Sequence, residues 1–74
     1  MTKQTQVSNS IRSLRFGAGE MTQAELADRV HVTRQTIIAI EQGRYSPSLE
    51  VAFRIANVFR VPLNDVFHYQ EEES

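Results

Sequence analysis

The chain has 74 residues, enough for one domain, and a globule this small hides only about 60% of the surface its unfolded chain exposes. It has no cysteine, which rules out disulfides and thiolate metal sites, and no stretch approaching the roughly 18 apolar residues of a membrane span. The net charge of −1 hides an asymmetry. Lys3, Arg12, Arg15, Arg29, Arg34 and Arg44 outnumber Glu20, Glu25, Asp28 and Glu41, whereas beyond residue 44 only Arg54 and Arg60 face Glu50, Asp65, Glu71, Glu72 and Glu73. The N-terminal part can therefore meet an anionic partner while the acidic end points elsewhere.

Residues 1–6 are polar, with no apolar run after Lys3 of the kind a signal peptide needs. From Val7 the spacing of Val7, Ile11 and Leu14 predicts a first helix, which should end near Phe16 because Gly17-Ala18-Gly19 breaks the pattern. A second helix starts cleanly. Thr22 is followed three residues later by Glu25, the pattern of a capping box, and Leu26, Ala27 and Val30 form its inner face. Thr33 caps a third helix that runs to about Gln42, where Gly43 suits a left-handed end.

Tyr45-Ser46-Pro47-Ser48 is a turn. A fourth helix follows with Leu49, Ala52, Phe53, Ala56 and Phe59 on one side, widened by Val51, Ile55 and Val58. Val61-Pro62 breaks it, and Leu63 to Phe67 form a short fifth helix. A weak β-period occurs around Val66 to Tyr69. The fold expected is all-α, a five-helix orthogonal bundle in a single domain of residues 1–74, with a core over about 8–68 and an acidic tail at 69–74.

The segment from Gln23 to Gly43 is the informative one. Two capped helices are joined by a turn too short for antiparallel packing, so they must cross steeply, and Ala27 supplies the small residue that such a contact needs. The turn calls for a positive φ. His31 stands there, one of the few types other than glycine enriched in that region. Ile37 and Ile40 then face Leu26 and Val30. This is helix-turn-helix geometry, in which the second helix lies in the major groove of DNA.

At 100° per residue, Thr33, Ile37, Ile40 and Glu41 fall on one side of the third helix, and Gln35, Ile38, Ala39 and Gln42 on the other, with Arg34 near its start. An ordinary solvated face would carry long charged residues. Glutamine can instead pair bidentately with adenine, arginine with guanine, and an alkyl group can touch a thymine methyl.

The run T-Q-A-E-L-A-D-R-V-H-V-T-R-Q-T-I-I-A-I-E-Q-G-R-Y-S-P-S-L, Thr22 to Leu49, resembles helix-turn-helix regulators of the phage Cro and repressor type, the XRE class. With Ile11 to Arg15 and Leu63 to Phe67, the similarity spans about residues 9–68. It implies a lambda-repressor-like DNA-binding fold and a cytoplasmic, dimeric transcriptional regulator, most simply a repressor reading an inverted repeat in double-stranded DNA through residues 33–42.

Residue by residue, the resemblance implies that Gln23 touches a phosphate and buttresses the reading helix. Arg34 and Gln35 become the leading base readers, with Thr33 and Thr36 nearer phosphate and Ile38 offering an apolar touch. Gln42, Arg44 and Tyr45 would line the DNA backbone. Arg15 and Glu41 would form the family's partly buried ion pair, and the C-terminal surface around Phe67 and Tyr69 a two-fold homodimer contact.

Three departures stand out. His31 replaces the usual glycine, Ile38 stands where serine is common, and the connection from Phe16 to Met21 is one residue longer, which leaves the angle of the first helix open.

A protein-interaction module of the same fold, an antitoxin or adaptor with an unknown protein partner, is the alternative function. No catalytic constellation is discernible, and His31 and His68 lack ligand-spaced companions, so neither an enzyme, a metal site nor a cofactor is expected. No separate effector-binding domain fits in the chain.

Overall fold

The computed structural model of the protein describes residues 6–69. Its elements run β1 (Val7–Asn9), α1 (Ile11–Gly17), α2 (Gln23–Val30), α3 (Arg34–Glu41), α4 (Leu49–Phe59), α5 (Leu63–Val66) and β2 (Phe67–Tyr69). The expected helices are present. The two short strands add to them, pairing antiparallel with Val7 opposite Tyr69, Ser8 opposite His68 and Asn9 opposite Phe67.

That ladder corrects the start of the first helix. Val7 is extended, and the helix begins at Ile11, whose N–H donates to Asn9 Oδ1 at 3.1 Å. Ser10 N–H meanwhile reaches the Val66 carbonyl at 2.8 Å. A helical spacing of apolar residues is equally open to a strand when a distant segment offers backbone partners, and here the other end of the chain does. The tail expected from residue 69 likewise begins later, since Tyr69 belongs to β2. Residues 70–74, which hold its acidic run, and Lys3 lie outside the described residues.

Capping sets the ends of the central helices. Thr22 Oγ1 accepts from Glu25 N–H at 3.0 Å while the Glu25 carboxylate accepts from Thr22 N–H at 2.8 Å, a complete capping box. These bonds, the backbone one first, hold the Glu25 carboxyl below the usual glutamate range. Thr33 and Ser48 cap α3 and α4 through their hydroxyls.

At the far ends, α2, α3 and α4 close alike. His31 (φ 64°), Gly43 (φ 76°) and Arg60 (φ 57°) turn left-handed, and the next residue's N–H reaches back to Ala27, Ala39 or Ala56. Only one of these three residues is glycine.

The core is one cluster of Ile11, Met21, Leu26, Ala27, Val30, Ile37, Ile40, Ile55, Ala56 and Val66. Leu14, Val32, Val51, Val58, Phe59, Val61, Leu63 and Phe67 pack around it. On α4 the buried stripe consists of Ala52, Ile55 and Ala56. Leu49 and Phe53, expected inside, are 71% and 51% exposed. The helix is rotated so that Ile55 enters the core and the two small alanines allow a close approach. Among the described residues no helix is long and apolar enough to cross a membrane.

Candidate nucleic-acid interface

Burial divides α3 between two tasks. Ile37 and Ile40 are sealed in the core at 0% and 2% exposure, which anchors the helix against α2. A helix pinned on that stripe turns the opposite side outward. Arg34, Gln35 and Gln42 are exposed, and Ile38 and Ala39 are half-buried beside them. Ala39, four residues after Gln35 and three before Gln42, keeps the middle of this surface low.

At the start of α3, Thr33 Oγ1 accepts from Thr36 N–H at 3.2 Å and shares a hydrogen bond with Thr36 Oγ1 at 3.0 Å. Both hydroxyls sit at the helix N-terminus, where unpaired backbone N–H groups favour anions. After the helix, Arg44 and Tyr45 are exposed as the chain turns toward α4. Gln35 therefore lies outside the hydrophobic interior, with Arg34 beside it and Gln42 two turns further along.

Polar bonds hold this helix at a set angle to α1 and α2. Arg15, 8% exposed, donates through Nε to Glu41 Oε2 at 2.7 Å and through Nη2 to Glu41 Oε1 at 3.1 Å. Its Nη1 donates to the Met21 carbonyl at 2.8 Å. Gln23 Nε2 also donates to Glu41 Oε1, at 3.1 Å. One carboxylate on α3 thus receives a fork from α1 and an amide from α2. The second Gln23 amide hydrogen has no partner among the described residues. From the chain start, Asn9 Nδ2 donates to the Ile40 carbonyl at 2.9 Å. No buried side-chain polar atom among the described residues lacks a partner.

The resemblance placed Gln23 as a buttress of α3, and the Glu41 carboxylate is the acceptor through which it braces the helix. Asn9 had no signal, because it sits in a segment whose spacing looked helical. The one-residue-longer connection after α1 is absorbed by Gly19 (φ 80°) and Glu20 (φ 61°), so that Met21 N–H still reaches the Arg15 carbonyl at 2.9 Å. The angle of α1 that the sequence left open follows from this turn and from the Arg15 fork.

On β2, Phe67 is half-buried against the core and Tyr69 is 67% exposed. His68 Nε2 lies 3.2 Å from Ser10 Oγ. No cluster of His, Cys, Asp or Glu arranged to hold a metal ion occurs among the described residues.

Two capped helices joined by a short left-handed turn and packed on each other, the second with a buried stripe and an exposed polar face, define a helix-turn-helix protein. A family model described as Helix-turn-helix matches residues 11–66, and the chain belongs to this family, in its Cro and repressor type.

Among its relatives, an uncharacterised HTH-type transcriptional regulator of Methanocaldococcus jannaschii is 53% identical over 72% of this chain and 80% of its own length. A Bacillus subtilis counterpart, likewise uncharacterised, is 42% identical over 89% of this chain and 98% of its own. The CTXphi phage transcriptional repressor RstR of Vibrio cholerae is 34% identical over 80% of this chain and 52% of its own. A solved Bacteroides fragilis protein described as DNA-binding superposes with a TM-score of 0.72 at 19% identity, over 84% of this chain and 98% of its own, a likeness of fold.

Proposed function

We propose that this helix-turn-helix regulator is a cytoplasmic, sequence-specific repressor that binds double-stranded DNA as a homodimer and acts by binding alone, without catalysis. The observation that carries the reading is the outer face of α3, where Arg34, Gln35 and Gln42 are exposed while Ile37 and Ile40 lock the helix into the core.

In this reading α3 enters the major groove. Arg34 and Gln35 address base edges, and Ile38 touches a thymine methyl. Thr33 and Thr36 lie near phosphates at the helix start. Gln23, whose amide already braces Glu41, turns its remaining hydrogen to the DNA backbone, and Gln42, Arg44 and Tyr45 follow the backbone beyond α3.

One such module makes few base contacts, so two joined copies reach useful affinity through effective concentration. The exposed Tyr69 beside Phe67 supports a two-fold contact there. Half-sites would then lie about 34 Å apart, one turn of duplex, or a multiple of it. Repression follows if the occupied site overlaps the polymerase's own, and the phage repressor among the relatives favours that sense of control.

Binding-site selection with the intact protein and with Gln35→Ala tests the reading. The intact protein should enrich an inverted repeat. The variant should lose roughly 1–3 kcal/mol of binding free energy and relax its preference at one position per half-site. An unchanged preference in the variant would remove Gln35, and with it the proposed orientation of α3, from base reading.

A further inference from the structure

We infer that Arg12, stacked on the exposed ring of Phe16, is an additional contact to the DNA backbone, which extends the interface from α2 and α3 onto α1. This rests on the DNA-binding reading above and deepens it.

An open concavity of about 600 Å³ lies between α1 and the starts of α2 and the turn after α3. Arg12, Phe16, Gln23 and Gln42 all line it. Two of these, Gln23 and Gln42, already belong to the proposed backbone-facing set, so a strand of DNA lying along them passes the mouth of this concavity.

Two arginines and two glutamates line it, and of these four only Arg15 and Glu41 are bonded to each other. Glu41 is fully engaged, one oxygen taking Arg15 Nε and the other taking both Arg15 Nη2 and Gln23 Nε2. The Arg12 side chain has neither a hydrogen bond nor an ion pair among the described residues; its guanidinium instead lies 5.5 Å from the Phe16 ring centroid. The Arg15 guanidinium lies 5.8 Å from the same ring, so one aromatic side chain neighbours both a buried, paired arginine and an exposed, unpaired one.

A half-exposed phenylalanine at this position buries little. Its geometry instead restricts a long flexible cation to one side of α1 without neutralising it. A guanidinium held that way retains all its donors for phosphate oxygens. Glu20 stands on the rim of the same concavity and opposes an anion there. It therefore supplies a second, opposite handle on the same site.

The experiment measures binding to two duplexes, the sequence recovered by selection and a random one of equal length, across a salt series. Arg12→Ala should weaken both by similar factors, roughly tenfold or more, and reduce the salt slope by about 0.9, the value for one phosphate. Arg12→Lys, which keeps the charge without the planar stack, should retain the slope and lose part of the affinity. Phe16→Leu should weaken binding only while Arg12 is present, so that the double variant is no worse than Arg12→Ala. Glu20→Gln should tighten both duplexes.

Unchanged affinity and slope in Arg12→Ala, with Gln35→Ala still losing sequence preference, overturns this inference alone. If Gln35→Ala is also without effect, the underlying reading of α3 fails instead.

Discussion

The two halves of the molecule are held together by different means. From β1 to α3, long polar side chains converge on one another: Arg15, Gln23 and Glu41 across three helices, and Asn9 on the last turn of α3. From α4 to β2 the joins are mostly apolar. Ile55, Ala56 and Val66 complete the core, and the polar links are the β1–β2 ladder, the Ser10 N–H on the Val66 carbonyl and Arg54, which donates to the Val30 carbonyl at 3.3 Å and pairs with Glu50 one turn earlier at 2.6 Å.

Apolar burial stabilises without dictating direction, whereas a bidentate fork tolerates little rotation. The directional bonds sit where a tilt of α3 would move its outer face. In the other half the directional bonds run to β1, to Ser10 and to the end of α2, and none of them reaches α3.

The contrast breaks most visibly at Glu41. Glu41→Ala leaves Arg15 nearly buried with its charge unanswered, and Gln23 without its acceptor. A loss of about 3–5 kcal/mol is expected, comparable with the whole stability of a small domain. Thermal or denaturant unfolding followed by circular dichroism reads it directly, and a change below about 1 kcal/mol, the ceiling for a surface pair, would show that the linkage is ornamental.

A smaller gain is expected where the two halves are built alike. His31 and Arg60 occupy left-handed conformations at the ends of α2 and α4, and both side chains are exposed, without hydrogen bonds among the described residues. His31→Gly and Arg60→Gly should each raise stability by about 1 kcal/mol, the usual penalty of a side chain in that region. The two gains should add, since the sites share no partner. If only one substitution stabilises, the closing turns are not equivalent.

The smallest effect on folding belongs to Tyr69→Asp. Its ring is mostly outside the core, so the melting curve at low concentration should move by no more than about 0.5 kcal/mol. Sedimentation should nevertheless report monomers, against the dimer proposed for the parent protein. Intact dimers in the variant would place the two-fold contact elsewhere.

Some of this was legible before any coordinates. The Thr22 to Glu25 capping box, the Thr33 cap, the left-handed His31 and Gly43, and the split of α3 into an Ile37–Ile40 side and a Gln35–Gln42 side all appear in the structure. Each is a matter of neighbours within one or two helical turns. Arg60 in a left-handed turn was not foreseen, because Val61-Pro62 marked a break without revealing its hand.

The errors share one cause. Val7 and Ile11 fit a helical period, yet Val7 went to a strand because Tyr69 lay opposite. Leu49 and Phe53 fit the apolar stripe of α4, yet Ile55 took the interior and left them exposed. Periodicity says that a helix has an apolar side. It does not say how far the helix turns once its neighbours compete for the same space.

Sequence alone therefore determined the caps and closing turns of α2 and α3, the pairing of those two helices and which side of α3 faces away from Leu26 and Val30. These follow from hydrogen bonds and steric limits confined to a few adjacent residues. Only the tertiary structure decided that Gln23 shares a Glu41 oxygen with Arg15, that residues 7–9 and 67–69 pair as strands, and that Arg12 meets no acidic partner among the described residues. Those outcomes depend on which groups meet after the helices pack, and a chain of residues carries no distances until it folds.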